Sequence, residues 1–519
     1  MEPVSQILEE KFKFIKPGEV RTRFAPSPTG FLHIGSVRTA LFNYLFAKKH
    51  NGTFVLRIEN TDKERSKPEF EEDIKEGLKW LGINWDEGPY RQSERKDIYS
   101  RYLKKLLEEG KCYYCFCSEK ELEIQRQEQM SRGLAPRYNG KCLNLSLKEI
   151  KKNLAEGKKP VIRFKVPAKK IIFEDLIRGK VEFDTSLMGD IVIAKDLENP
   201  LYNFAVVIDD FEMKISHVIR GEDLLPSTPL QILLQESLNF SHPHYAHLPL
   251  ILGPDKSKLS KRHGAVSVNE YKKMGYLPET LINFIAFLGW NPGTKREIFS
   301  LSSLIKEFSI QRVQKGAAVF NVKRLDYLNG FYIRQKSIEK LTESCLPYFI
   351  QEGLIKPILK TEQYPPAYGG SQIVRTYKII EIKEEISFDY LKRIVAIYQK
   401  RLKKLSEISA LTDFFFKNEL NYEKNLLFWK DMTDKELKDS LIKLKEIISK
   451  INEDNWTKEN LESTLLFYAE KEKDRGYLLW PLRVSLTGKR ESATPFEIAE
   501  ILGKKKTLKR LEEAIKKAI

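Results

Sequence analysis

Two short segments, far apart in the chain, carry side chains suited to phosphate chemistry. Pro28-Thr29-Gly30-Phe31-Leu32-His33-Ile34-Gly35-Ser36 sets an imidazole and two glycines just before a helix start. Backbone N–H groups and the positive end of a helix dipole attract anions there, and Gly35, lacking a Cβ, lets a flat ring approach the backbone. His33 is placed to donate to phosphate oxygens. Lys258-Leu259-Ser260-Lys261-Arg262 follows Gly253-Pro254-Asp255 and gathers cations in a loop. When a carboxylate attacks the α-phosphorus of ATP, charge builds on the α-phosphate and the departing pyrophosphate, and ammonium groups stabilise it. Either segment alone is more often an ordinary turn or a solvated basic patch; both in this order point to ATP chemistry. No Gly-Lys pair in the chain is followed by Ser or Thr, so a Walker-type phosphate loop is absent.

The elements around the first segment read as a βαβ unit. A short strand pattern at Val20 to Arg23 runs into Ala25-Pro26-Ser27-Pro28, where two prolines forbid regular structure. Ser36 is a candidate cap for a helix with Val37, Ala40, Leu41, Tyr44 and Leu45 on its apolar face, stopped by Asn51-Gly52. Phe54 to Ile58 then reads as a buried strand. In such a unit the loop and helix N-terminus open at the carboxyl edge of a parallel sheet, where nucleotides bind. Residues 101–201 mix a charged helix with β-rich runs such as Val161 to Val166 and Ile191 to Ile193, and read as an insertion. Strand character returns at Phe204 to Ile208, Lys214 to Ile219 and Leu248 to Leu252, the second half of a split sheet. Beyond about Gly330 the pattern is helical almost throughout.

A length of 519 residues, at about 150 per domain, predicts several domains. Apolar residues at 41% and charged residues at 31% are those of a folding chain rather than a disordered one. The balance of 89 Lys and Arg against 72 Asp and Glu, net +17, favours a polyanionic partner, although a lysine-rich soluble surface explains the excess equally well. Neither an export signal nor a bilayer-spanning apolar run is present, which predicts a cytoplasmic protein. Cys112, Cys115, Cys117 and Cys142 lie close together, with Cys345 apart, a spacing that suits metal ligation in a reducing compartment better than disulfides. His242, His244 and His247 resemble a second cluster, but Pro243 and Pro249 argue against an element that aims their rings together, so no metal is expected there.

Arg23 to Gly30 together with His33-Ile34-Gly35-Ser36 resembles the HIGH segment of bacterial glutamyl-tRNA synthetases, a class I family, and Lys258 to Arg262 resembles their KMSKS loop. The likeness extends through Arg57-Ile58-Glu59-Asn60-Thr61-Asp62, Tyr202-Asn203-Phe204, Val218-Ile219-Arg220-Gly221-Glu222-Asp223 and Phe287-Leu288-Gly289-Trp290-Asn291-Pro292, covering most of residues 21–330. Ser36, Leu259 and Arg262 depart from the two signatures, while His33 and Lys261 stay in place.

The resemblance implies a multidomain α/β protein: a split Rossmann-like parallel sheet with an inserted acceptor-stem domain, followed by an all-α anticodon-binding domain. On that frame 1–20 is an extension, 21–100 and 202–255 the catalytic halves, and 101–201 the insertion. Residues 256–330 form the lysine loop and stem-contact region, and 331–519 the anticodon domain. The implied reaction is ATP-dependent ligation of L-glutamate to tRNA(Glu) through glutamyl-adenylate. It requires Mg2+ and bound tRNA, with tRNA(Gln) open as a second acceptor and a monomer expected. His33, Lys258 and Lys261 are the implied catalytic residues; Thr29, Gly30, His33, Gly35, Lys258, Ser260 and Lys261 hold ATP. Arg23, Ala25, Ser27, Glu59, Tyr202 and Arg220 bind glutamate. A structural Zn2+ on Cys115, Cys117, Cys142 and, as in some relatives, Tyr138 is also implied, with Cys112 or Asn144 as competing ligands. The rivals are a glutaminyl-tRNA synthetase, a truncated tRNA-modifying paralogue and a noncatalytic tRNA-binding protein of the same fold.

Overall fold

The computed structural model describes residues 19–259, 267–358 and 376–518. They divide into two units, Met1–Lys272 with Pro278–Leu325 and Lys273–Leu277 with Asp326–Ile519. No helix among the described residues is long and apolar enough to cross a membrane.

In the first unit, β1 (Arg21–Phe24) leads through the proline loop into helix α1 (Ile34–Lys49) and back to β2 (Thr53–Ile58). The two strands pair in parallel, Arg21 opposite Thr53 and Phe24 opposite Leu56, and β3 (Glu87–Arg91) adds a third parallel strand. The helix begins at Ile34, two residues before the predicted cap. His33 itself caps it, its Nδ1 accepting the Ser36 N–H at 3.2 Å, so the imidazole satisfies a donor that a serine hydroxyl was expected to take.

The inserted segment supplies β4 (Cys112–Cys115), β5 (Val161–Phe164), β6 (Lys170–Asp175), β7 (Gly179–Asp184) and β8 (Ile191–Ala194). Strands β4, β5 and β8 form a small sheet of their own. Strands β6 and β7 form a hairpin that joins the second half of the core, because β6 meets β10 (His244–Leu248) at Asp175 and Tyr245, and β10 pairs in parallel with β9 (His217–Gly221). The two half-sheets meet at Arg21 and Ser216. The Ser216 N–H donates to the Arg21 carbonyl at 3.0 Å, and the Arg21 N–H to Ser216 Oγ at 2.8 Å.

Phe204 to Ile208 is not a strand but the middle of a helix, Tyr202–Glu212. Residues 204 to 210 are buried without a break, so no polar face marks the helical period, and the Val206-Val207-Ile208 run mimics a strand. Pro243 and Pro249 bracket β10 rather than prevent it, since a five-residue strand fits between them. Its His244 and His247 stand three apart and therefore on opposite faces. The second unit is mostly helical, yet it contains an antiparallel sheet of Ile355–Pro357, Thr376–Ile379 and Glu385–Ser387. Its helices pack around a core that includes Phe388, Leu391, Leu441, Leu465 and Leu482. The last helix, Pro495–Ala518, is capped by Thr494, whose hydroxyl accepts the Glu497 N–H at 3.3 Å, and is broken by Gly503 at φ 78°.

Candidate active site

The loop that carries His33 and the cationic segment are joined by backbone. Val268 N–H donates to the Leu32 carbonyl at 2.9 Å, and His33 forms a bridge with Ser267. On the other flank Leu259 N–H donates to Ile251 at 3.0 Å and Lys258 bridges Leu252. Ser260, Lys261 and Arg262 lie outside the described residues, but both ends of their segment are tied to this part of the first unit. Asp73, absent from the sequence reading, clips the loop: its carboxylate accepts the Leu32 N–H at 2.7 Å and a hydrogen bond from Asn269. An isolated acid on a helix gave no signal for that role.

His33 keeps solvent access although protein surrounds most of its ring. Desolvation and the charge of Lys258 outweigh Asp223 and hold its imidazole below the ordinary pKa. Because Nδ1 accepts the Ser36 N–H, the proton of the neutral ring sits on Nε2, 2.9 Å from Ser36 Oγ. A Cβ at Gly35 would meet the His33 ring at 3.1 Å, so Gly35 leaves room for this imidazole. Thr29 and Ser27 are exposed in the adjoining turn, with Gly30 and Ala25 beside them.

The second group gathers at the carboxyl edges of β1, β2 and β9. Arg23 is 3% exposed and donates to Asp210 through Nε at 3.1 Å and Nη2 at 3.4 Å. Glu59, 6% exposed, accepts from Arg57 at 3.0 Å; Arg57, wholly buried, also pairs with Asp210 at 2.7 Å and lies 3.8 Å from Asp209. Burial pushes the Glu59 carboxyl up despite Arg57 and Arg23, so a further positive charge beside it would favour ionisation. Burial acts on Asp210 too, but Arg23 and Arg57 outweigh it and hold that carboxyl below its ordinary value. The Tyr202 hydroxyl is raised by desolvation first, and Glu59, Arg220, Arg23 and Asp210 all act on it, so these residues share one neighbourhood.

Arg220 differs from Arg23 and Arg57. It is 3% exposed, and its guanidinium donates to His247 Nε2 at 3.1 Å, Gln231 Oε1 at 2.8 Å and Thr228 Oγ1 at 2.9 Å. Among the described residues none forms an ion pair with it. A buried cation with only neutral partners is costly unless an anion arrives. Residue type pointed to Arg220 but not to its support, His247, because the two are 27 residues apart in the chain and only the parallel pairing of β9 with β10 brings them together.

Among the described residues one group of three metal-ligating side chains occurs, Cys115, Cys117 and Cys142, with sulfur atoms within 4.8 Å of one another. Cys117 and Cys142 sulfurs are 3.6 Å apart, and the Tyr138 hydroxyl is 3.5 Å from both Cys115 and Cys117. Zn–S bonds of about 2.3 Å in a tetrahedron give S–S edges of about 3.8 Å, so the donor set fits zinc. Arg163 stacks on the Tyr138 ring at 3.9 Å. Burial pushes the Cys115 thiol up, but hydrogen bonds from Tyr138, Arg163 and the Cys117 backbone outweigh it and hold the thiol below its ordinary value.

Residues 19–327 match the family described as tRNA synthetases class I (E and Q), catalytic domain, and residues 341–515 match an anticodon binding domain. The chain belongs to the class I tRNA synthetases of the E and Q type. It is 48% identical to glutamate–tRNA ligase 1 of Caldicellulosiruptor saccharolyticus over 95% of this chain and 98% of that one. It is 45% identical to the glutamate–tRNA ligase of Carboxydothermus hydrogenoformans over 93% and 97% respectively. A crystal structure of a glutamate tRNA ligase from Elizabethkingia meningosepticum, in complex with its amino acid, superposes with a TM-score of 0.82 at 34% identity. That alignment covers 96% of this synthetase and 100% of the other chain. The mixed α/β unit with parallel strands and the helical second unit are therefore those of the family.

Proposed function

We infer that the chain activates L-glutamate with ATP and transfers it to the 3′ end of tRNA(Glu). The observation that carries the choice of amino acid is Arg220, a buried guanidinium with neutral partners only among the described residues. One side-chain carboxylate completes it, and bidentate Arg–carboxylate pairing disfavours the neutral amide of glutamine. Arg23 and Ser27 serve the carboxylates from the β1 side, Glu59 takes the α-ammonium group, and Ala25 and Tyr202 wall the pocket. Asp210 holds Arg23 in place and moderates its charge.

ATP enters as its magnesium complex, against Thr29, Gly30, His33 and Gly35, with Lys258, Ser260 and Lys261 on the other flank. A glutamate α-carboxylate oxygen attacks the α-phosphorus, the bond to the bridging oxygen of pyrophosphate breaks, and glutamyl-adenylate forms. A ribose hydroxyl of the tRNA 3′ end then attacks the activated carbonyl and AMP leaves. His33 donates through Nε2 to phosphate oxygens, and the lysines follow the developing charge. Residues 21–100 and 202–255 house this chemistry, 101–201 receive the acceptor stem, 256–330 add the lysine loop and stem contacts, and 331–519 bind the anticodon.

Pyrophosphate exchange measured with glutamate and with glutamine, with and without tRNA, tests the reading. The expected result is exchange with glutamate alone and only when tRNA is present. Exchange driven equally by glutamine, or none with any amino acid, would refute it. Charging assays on purified tRNA(Glu) and tRNA(Gln) then define the acceptor range.

Cys115, Cys117, Cys142 and Tyr138 are the residues that would hold zinc, which supplies a structural cross-link between β4 and the loop at 138–142 rather than a reacting group. Elemental analysis is expected to find about one zinc per chain, and a strong chelator to lower the melting temperature of the first unit. Zinc-free protein whose melting ignores the chelator would show the cluster to be reduced cysteines alone.

A further inference from the structure

Arg220 is oriented by a chain of buried polar groups that begins in the inserted hairpin. Asp175, at the end of β6, is 1% exposed and accepts backbone N–H groups from Ile177 at 2.9 Å, Arg178 at 2.8 Å and His247 at 3.1 Å. Its Oδ2 lies 2.6 Å from His247 Nδ1, and His247 Nε2 lies 3.1 Å from Arg220 Nε. His247 is wholly buried.

Chemistry fixes the protons along this chain. Arg220 Nε is always a donor, so His247 Nε2 must accept and Nδ1 must carry the proton given to Asp175. Desolvation and the charges of Arg220 and Arg178 keep the imidazole neutral against the pull of Asp175. Burial opposes ionisation of Asp175, but hydrogen bonds from His247, Arg178 and Ile177 outweigh it and hold its carboxyl below the ordinary value. Thr228 Oγ1, 2.9 Å from Arg220 Nη2 and 3.2 Å from His247 Nε2, closes the arrangement on one side, and Gln231, which also donates to Asn203 at 2.9 Å, closes it on the other.

We propose that Asp175 and His247 are positioning residues for amino-acid selection. Asp175 locks His247 in the tautomer that accepts from Arg220, and this bond sets the plane of the guanidinium. The device rests on the reading of Arg220 as the glutamate side-chain ligand. A carboxylate in direct contact would orient Arg220 equally well but would offset the charge that selects the substrate, as Asp210 moderates that of Arg23. An acid one imidazole away orients the guanidinium and leaves its charge open. Because Asp175 belongs to β6 and His247 to β10, the same bond fastens the inserted hairpin to the amino-acid pocket.

Pyrophosphate exchange by the full chain with tRNA present, as a function of glutamate and of ATP, provides the test in H247L, H247Q, D175N and the double variant D175N/H247L. Loss of a hydrogen bond to a charged group is expected to raise KM for glutamate about ten- to hundredfold in H247L, with KM for ATP unchanged. H247Q, whose amide oxygen can accept from Arg220, recovers part of the loss. D175N also raises KM for glutamate, and adds little to H247L because both act through one bond. Equal rises in both KM values, H247Q no better than H247L, or additive effects would overturn the proposal. H247Q and D175N preserve side-chain size and carry the test alone if H247L does not fold: each must raise KM for glutamate and not for ATP. R220Q separates the two levels. If its KM for glutamate is unchanged, the pocket assignment fails; if KM rises while the relay variants behave as the parent chain, only the positioning role fails.

Discussion

Replacing Arg220 with glutamine lowers kcat/KM for glutamate by about 10²–10⁴-fold, the consequence of removing one partner of a buried charge pair, about 3–5 kcal/mol. Arg23 and Arg57 already face Asp210, Asp209 and Glu59, whereas Arg220 meets His247, Gln231 and Thr228. Of the three guanidiniums, Arg220 alone lacks a carboxylate among the described residues, so its loss subtracts directly from binding of an anionic side chain. R220Q also loses preference for glutamate over glutamine, because the remaining pocket is neutral at that point. Steady-state pyrophosphate exchange with both amino acids measures this, and a variant that still rejects glutamine would move the selecting cation elsewhere.

Replacing His33 with alanine lowers kcat of the same exchange by about 10²–10³-fold, the cost of one preorganised donor to developing charge. The surroundings of the ring hold its pKa down, and because Nδ1 accepts the Ser36 N–H the remaining proton sits on Nε2, which Ser36 Oγ holds at 2.9 Å until a phosphate oxygen takes its place. The bond to phosphate strengthens as charge builds, so kcat falls more than affinity for ATP. The variant also loses the cap of α1, worth about 1 kcal/mol, which a melting curve reads separately. An H33N variant keeps a capping side chain and is expected to retain the stability but not the rate. Restored turnover in H33N would show that His33 serves the helix and not the phosphates.

The chemistry was legible in the sequence wherever it depends on residue type at short spacing. The imidazole and glycines before α1, the cation-rich segment after β11 (Ile251–Leu252) and the paired cysteines announce themselves locally, and the first βαβ unit followed from its turn residues and apolar runs. The Phe204 to Ile208 run did not, because a helix buried on every face shows no period. The final basic helix shows a related limit. Its Arg510 is a cation by type, yet it is 1% exposed and donates to the carbonyls of Leu486, Phe414 and Lys417. Charge in a sequence carries no address.

By itself, then, the sequence determined which side chains are available to hold ATP phosphates, a carboxylate and a metal, since those are properties of types and local spacing. Only the tertiary structure decided which arginine is left without a carboxylate partner among the described residues. Arg23, Arg57 and Arg220 are alike in the chain; what separates them is whether Asp210 or His247 stands opposite, and burial makes that neighbour decisive because water is not there to screen or replace it.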